Sequence, residues 1–367
     1  MINSQILPGS AIALVVTIVF MSALRPLAKS VGLVDRPGGH KAHVGDVPII
    51  GGVAMFIGAF AGLALIQGAT VLIATLFLAS FLLIVIGVLD DKYALSAGVR
   101  IAIQVAVVLI MFYGSGFRLT DIGDPFGIGV VSLGPLTLIS TTIVSLTVIN
   151  AYNFVDGADG LAGSLALVAL LAIAIVGGYS EPSTAIALTV SASVVGFLVF
   201  NFPVTWNRRV RAFMGDAGST FLGFTILWVV LGASQGADRL VSPVVGLWFA
   251  AVPIHDCLTC FVKRTWAGKS PFKPGRDHFH HVLNRGAPQA RRTIVILTAL
   301  QIVYAGIGLA GHYAGAPDAL MFAGWSILGL THFLLIRKLA VYKRWFRLRR
   351  QVIHRMREVA VEDWTAQ

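Results

Sequence analysis

Charged residues are scarce in this sequence of 367 residues: only 12% are Asp, Glu, Lys or Arg, whereas 56% are hydrophobic. An ordinary soluble domain has roughly 25% charged residues, so this chain lacks the polar side chains to cover a water-exposed surface. With only two cysteines, Cys257 and Cys260, it is neither a disulfide-rich secreted module nor a multi-cysteine metal protein. Both lie in an apolar segment, where we expect them to pack as small residues. The composition indicates a protein embedded in lipid.

Long hydrophobic runs dominate the sequence instead. The segment from Thr70 to Leu89 contains no charge, and a bilayer core needs about 20 predominantly apolar residues per helix. We therefore expect an all-α polytopic membrane protein with about eleven transmembrane helices. The predicted spans lie near residues 8–24, 48–66, 70–89, 99–114, 135–150, 160–178, 183–201, 217–234, 241–262, 293–312 and 319–336.

The positions of the 28 Lys and Arg residues predict the orientation. All but Arg118 and Arg239 fall in the C-terminal tail or in the segments that share its side of the membrane. Because Lys and Arg favour the cytoplasmic side, we expect the N-terminus outside and the C-terminus in the cytoplasm. The net charge of +11 then reflects topology and anionic lipid rather than nucleic acid. We expect a transmembrane domain over residues 1–338 and a basic cytoplasmic tail over residues 339–367.

Carboxylates and carboxamides cluster on the predicted cytoplasmic side. Asp90 and Asp91 directly follow an apolar run, which indicates either a solvated helix end or a cation site. Such hard oxygen ligands suit Mg²⁺, with Mn²⁺ as a second candidate. The segment 150–160 places two carboxamides and two carboxylates among glycines, more than a helix cap needs. Asp216 opens a later span, where free backbone N–H groups favour phosphate.

Three histidines within four residues form a further polar motif on the same side. On a helix, His278 and His281 share a face while His280 points elsewhere. A zinc site would need more ligands, and no cysteine lies nearby in the sequence. With Lys269 and Lys273 just upstream, anion binding is the better interpretation.

Five motifs in a fixed order carry a family resemblance: DRPGGHKAH with PIIGG, VLDD, NAYNFVDGADGL, FMGDAGSTFLGF and HFHH. From about Val31 to Gly286 the chain resembles the polyprenyl-phosphate N-acetylhexosamine-1-phosphate transferases. The resemblance implies transfer of GlcNAc-1-phosphate from UDP-GlcNAc to undecaprenyl phosphate, with release of UMP. It places this reaction at the cytoplasmic face of the bacterial inner membrane, as the first membrane step of O-antigen or enterobacterial common antigen synthesis. In the first loop Lys41 and His43 match the family motif, whereas His40 departs from it.

The resemblance and the charges together give each site residue an expected role. A nucleotide diphosphate and a lipid phosphate bring together more negative charge than one divalent ion neutralises, so cationic side chains should converge on them. The expected metal ligands are Asp216, Asn153 and Asp91. The expected catalytic residues are Asp90, Asp91, His278 and His281. The expected substrate-binding residues are Lys41, His43, Arg100, Asn150, Asp156, Asp159, Arg264 and His280.

Two other functions remain open from the sequence: the same chemistry with another UDP-N-acetylhexosamine, and transport of lipid-linked sugars. A transporter would be expected to keep ionisable residues near the middle of its spans, whereas most of these lie at span ends. A scaffold that recruits soluble partners through its basic tail would leave the segment 150–160 unexplained. The expected partners are UDP-GlcNAc, undecaprenyl phosphate and membrane lipids, without nucleic acid, and a homodimer is left open.

Overall fold

The computed structural model describes residues 2–36, 45–67, 70–178, 181–203, 212–269, 278–284 and 290–339. The described chain is mostly helical, with one two-stranded antiparallel pair, β1 (Val34–Asp35) and β2 (Val47–Pro48), in which Val34 faces Pro48. The helices are α1 (Ile2–Ser30), α2 (Gly51–Gln67), α3 (Val71–Tyr93), α4 (Ala97–Ile110), α5 (Thr137–Val155), α6 (Leu161–Gly177), α7 (Pro182–Asn201), α8 (Gly215–Ser234), α9 (Pro243–Phe249), α10 (Ala251–Trp266), α11 (Phe279–Asn284), α12 (Ala290–Tyr313) and α13 (Asp318–Leu339). A π-helical turn, Met111–Ser115, extends α4.

Among the described residues, eight helices are long and apolar enough to cross a membrane, and a bent helix pair makes a ninth if it counts as one span. Two further predicted spans correspond to α2 and α6, which have 17 residues each. The helical, multi-pass membrane architecture is thus confirmed. The count of eleven spans and the orientation remain predictions.

The expectation of one continuous helix over 241–262 is wrong. The α9 helix ends at Phe249 and α10 begins at Ala251, with an 88° bend between them. In an apolar environment the backbone groups freed by such a break need partners, and Gln301 of α12 supplies them. Its Nε2 donates to the carbonyl of Phe249 (2.8 Å), and its Oε1 accepts from the backbone N–H of Val252 (2.9 Å).

Small residues bring α8 close to the helices around it. A Cβ atom added to Gly52 of α2 would overlap the backbone of Gly218 in α8, and one added to Gly87 of α3 would overlap Ala217. Helices in membranes approach closely where glycine or alanine lies at the crossing point. The first turn of α8 is therefore held between α2 and α3, beside the C-terminal end of α3.

The two ends of the helical bundle are both polar. The site end is formed by the ends of α3 and α5 and the starts of α4 and α8. The distal end lies at the other end of α8, where Arg239 pairs with Asp121 at 3.0 Å. The segment before α5 pairs with itself there, with an antiparallel bridge between Asp121 and Ser132.

Candidate active site

The site end gathers side chains that lie far apart in the sequence. The α3 and α5 helices run towards it and α4 and α8 run away from it, so the last turns of one pair meet the first turns of the other. Polar residues at these termini therefore share one cleft. Its walls are formed by Leu83, Ile86, Gly87, Asp90, Arg100, Gln104, Asn150, Asn153, Asp216 and Thr220.

Arg100 connects two of the carboxylates. Its Nη1 lies 2.9 Å from Oδ2 of Asp90 and 3.4 Å from Oδ2 of Asp216. The other oxygen of Asp90 accepts a hydrogen bond from the backbone N–H of Leu95 at 2.7 Å, which fixes the turn between α3 and α4. The predicted residues Asp90, Arg100 and Asp216 are thus brought together.

The side chain of Asp91, near the end of α3, lies against the N-terminus of α8. Both of its carboxylate oxygens accept from the backbone N–H of Asp216, at 3.0 and 3.1 Å, where the helix dipole favours negative charge. Gly215 has φ +72°, and a Cβ atom there would overlap both Ile49 and the Asp91 carboxylate. Asp91 therefore orients the residue expected to bind metal, and its own role as a metal ligand remains a prediction.

Two asparagines of α5 complete this side of the cleft. Asn153 Nδ2 donates to Oδ1 of Asp216 at 2.8 Å and to the hydroxyl of Ser219 at 3.1 Å. Asn150 Nδ2 donates to Oε1 of Gln104 at 2.8 Å. Gln104 is not among the residues predicted from the sequence, although an amide side chain within an apolar predicted span is itself a signal of a polar partner.

The loop between α5 and α6 carries Asp156 and Asp159. Its end is held by Asn201, whose Oδ1 accepts from the backbone N–H of Gly160 at 2.6 Å and whose Nδ2 donates to the carbonyl of Ala212 at 2.9 Å. Burial, together with the charges of Asp216, Asp91 and Asp159, raises the pKa of Asp156 well above its usual value. The carboxylates of three motifs therefore lie close enough to repel one another.

The expected arrangement of the three histidines is wrong in one respect. The carbonyl of His278 accepts from the backbone N–H of Val282 at 3.0 Å, so His278 caps α11, and its ring centroid lies 6.4 Å from that of His281. His280 does not point away, since its ring centroid lies 6.0 Å from that of His278 and 4.1 Å from that of His281. A Cβ atom on Gly157 would meet the ring of His280, so His280 packs on the loop that carries Asp156.

His280 is neutral at physiological pH. Its side chain is 1% exposed, and burial together with the neighbouring His281 lowers its pKa to about 3. Among the described residues, neither of its ring nitrogens has a hydrogen-bond partner. An uncharged imidazole of this kind suits a hydrogen bond to a substrate better than an ion pair.

His278 is anchored by Asp256, a carboxylate that is not among the residues predicted from the sequence. Its Nδ1 lies 2.9 Å from Oδ2 of Asp256 in α10 and 3.3 Å from Sγ of Cys260. The structure thus places a cysteine beside the histidines, although none lies near them in the sequence. Side-chain atoms of these three buried residues lie within 4.8 Å of one another. The available signal was a carboxylate inside an apolar predicted span.

The remaining predicted cations are only partly within the described structure. Arg264 is buried in the last turn of α10. Lys41 and His43 lie outside the described residues, as does the chain from residue 340 onwards. The convergence of the cations on the phosphates therefore remains a prediction.

Residues 73–234, which include most of this cleft, match the model of a family described as glycosyl transferase family 4. The chain is also similar to proteins named undecaprenyl-phosphate alpha-N-acetylglucosaminyl 1-phosphate transferase. One from Escherichia coli O157:H7 is 35% identical over 87% of this chain and 86% of its own length. One from Yersinia pestis is 35% identical over 86% of both chains, and one from Haemophilus influenzae is 33% identical over 91% and 95%.

The chain belongs to glycosyl transferase family 4. The resemblance given by the five motifs is thereby confirmed over most of the sequence. The matched segment contains α3 to α8. These helices bring Asp90, Asp91, Asn153 and Asp216 to one end of the bundle.

Proposed function

We propose that this protein transfers GlcNAc-1-phosphate from UDP-GlcNAc to undecaprenyl phosphate and releases UMP. One observation carries the proposal beyond the names of the relatives. The cleft joins apolar side chains of α3, Leu83 and Ile86, to the charged group of Asp90, Arg100 and Asp216. A lipid phosphate needs such a site, because its chain stays in the membrane while its headgroup meets a soluble donor.

The reaction joins two phosphates. An oxygen of the lipid phosphate attacks the phosphorus that bears the sugar, the bond from this phosphorus to the UMP oxygen breaks, and UMP leaves. The second pKa of a phosphate monoester is about 6, so the acceptor is already largely nucleophilic near neutral pH and needs no strong base. We assign Arg100 to the charge of the acceptor phosphate and Asp90, which pairs with Arg100 at 2.9 Å, to the orientation of Arg100.

A divalent cation, Mg²⁺ or Mn²⁺, fits the donor set of this site. Asp216, Asn153 and Asp91 offer hard oxygen ligands. Burial, and then the charges of Asp216 and Asp91, raise the pKa of the neighbouring Asp156. The bound ion would neutralise the developing charge on the donor diphosphate. We assign Asp216 and Asn153 to it first, because the Asn153 amide already contacts the Asp216 carboxylate.

We assign the loop between α5 and α6 and His280 to the nucleotide sugar. Asp156 and Asp159 are suited to accept hydrogen bonds from uracil and sugar hydroxyls, and His280 can bond there without a charge. We assign His278 and His281 to catalysis, and Arg264, Lys41 and His43 to the phosphates. We place the reaction at the cytoplasmic face of the bacterial inner membrane, in the synthesis of an O-antigen or enterobacterial common antigen type of glycan.

The experiment is to reconstitute the purified full chain in lipid nanodiscs with undecaprenyl phosphate, Mg²⁺ and a panel of UDP-sugars, and to measure UMP release. We expect release with UDP-GlcNAc, loss of release with EDTA, and recovery with Mg²⁺ or Mn²⁺. Release with another UDP-N-acetylhexosamine alone would replace the donor. If no UDP-sugar gave UMP, the proposed transfer would be wrong, and unchanged release with EDTA would remove the metal.

A further inference from the structure

Asp256 is a carboxylate that the proposed reaction does not yet use. It lies in α10 and is 2% exposed, and an ionisable residue within a membrane-embedded helix is costly and usually functional. Both of its oxygens are engaged by the histidine segment. Oδ2 lies 2.9 Å from Nδ1 of His278, and Oδ1 accepts from the backbone N–H of Phe279 at 2.8 Å.

The contact between Asp256 and Nδ1 determines the tautomer of the His278 ring. A neutral imidazole has one protonated nitrogen, and a carboxylate beside Nδ1 favours the proton there. The described hydrogen bonds of the ring involve Nδ1, so Nε2 is left for the substrates. The ring is also fixed in orientation, since its centroid lies 5.2 Å from that of Phe154 and 6.0 Å from that of His280, whose plane is nearly parallel.

We propose that Asp256 is a positioning residue of the transfer reaction, which holds His278 with the proton on Nδ1 and Nε2 directed to the substrates. The inference rests on the proposed function. Among the described residues, the titratable groups around the pair are Cys260 of α10, His280 and His281 of α11, and His332 of α13, whose Nε2 lies 3.8 Å from Oδ1 of Asp256.

The structure makes Asp256→Asn a sharp test. The N–H of Phe279 needs an acceptor, so the amide oxygen of the introduced side chain would stay on that side and its NH₂ would face Nδ1 of His278. An NH₂ donor opposite Nδ1 favours the tautomer protonated on Nε2. The substitution keeps the shape of the side chain while it reverses the ring tautomer, as an Asp to Asn change does in a catalytic triad.

The first measurement is steady-state UMP release in nanodiscs. We expect Asp256→Asn to lower kcat about 100-fold with KM changed less than about threefold. In a His278→Ala background, the same substitution should change kcat less than about twofold, because a positioning residue acts only through its partner. Asp256→Glu, which keeps the carboxylate, should recover part of the rate. Cys260→Ala, which removes the other neighbour of Nδ1, should stay within about threefold of wild type.

The second measurement needs no substrate. In ¹⁵N-histidine-labelled protein, with the His278 signals assigned by their loss in His278→Ala, Nδ1 should carry a proton in the wild type and lose it in Asp256→Asn. An equal loss of kcat from Asp256→Asn with and without His278 would overturn the inference and leave a structural anchor. So would an unchanged tautomer. If the tautomer reversed in Asp256→Asn but the wild-type protein released no UMP, the proposed function would be contradicted while the link between Asp256 and His278 would stand.

Discussion

The two polar ends of the bundle use carboxylates differently. At the distal end two carboxylates have separate partners: Asp121 pairs with Arg239 at 3.0 Å, and Asp318 accepts from the hydroxyl of Ser242 at 2.7 Å and from the backbone N–H of Asp124 at 2.9 Å. At the site end, carboxylates lie close to one another, and Arg100 bridges two of them. Dispersed pairs connect loops, whereas a crowded group suits the proposed divalent cation.

The largest expected effect is loss of activity when a carboxylate is changed at the site end but not at the distal end. Asp216→Asn and Asp90→Asn each remove one charge from the crowded group, and we expect UMP release to fall about 100-fold or more, because groups that stabilise charge in the transition state have effects of this size. Asp238→Asn, an exposed carboxylate beyond the distal end of α8, is the matched control and should retain normal activity. Near-normal turnover in either site variant would remove that residue from the active site.

The next effect compares two glycines at the two ends of α8. Gly215 and Gly236 both have positive φ, +72° and +94°. A Cβ atom at Gly215 would overlap Asp91, whereas the space around Gly236 is open. We expect Gly215→Ala to lower activity at least tenfold and the melting temperature measurably, because it displaces the carboxylate that orients Asp216. Gly236→Ala adds backbone strain of about 1 to 2 kcal/mol and should preserve activity. Equal losses in both variants would show that backbone strain alone explains the effect.

The sequence predicts features that depend on neighbouring residues, and it does not predict contacts between residues far apart in the chain. The apolar run after Thr70 predicts α3, and the Thr70 side chain caps that helix by accepting from the backbone N–H of Ile73. Both facts are local. The pairing of Asp256 with His278 joins residues 22 positions apart, across the end of α10 and the segment that follows it, so a single sequence does not give it.

The break between α9 and α10 had a weak local signal. Pro253 lies within the first turn of α10, where proline is tolerated, whereas inside a continuous helix it would remove a hydrogen bond. The predicted span 241–262, which has this proline near its middle, could therefore have been divided into two helices. The acceptor and donor that stabilise the break come from Gln301, 49 residues beyond Val252, which only the tertiary structure reveals.

A smaller effect distinguishes functions within the site end. Asp159→Ala should raise the KM for UDP-GlcNAc about tenfold, since a hydrogen bond to a charged group contributes about 1.5 to 3 kcal/mol, and leave the KM for undecaprenyl phosphate within about twofold. The measurement is a matrix of initial rates with each substrate varied in turn. A larger change for the lipid would reverse the assignment of this loop to the nucleotide sugar.

The smallest effect belongs to the distal ion pair. Asp121 and Arg239 have side chains that are 17% and 31% exposed, and a partly exposed pair contributes about 0 to 1 kcal/mol. Asp121 Oδ1 also accepts from the backbone N–H of Gly123 at 3.0 Å, so we make the change at the arginine. Arg239→Gln should shift the melting temperature by a few degrees at most and leave kcat and both KM values within about twofold. Melting curves at low and high salt check the cause, because screening weakens an exposed pair in the wild type and removes its difference from the variant. A large loss of turnover in Arg239→Gln would mean that the distal end is coupled to catalysis and that its dispersed pairs do more than connect loops.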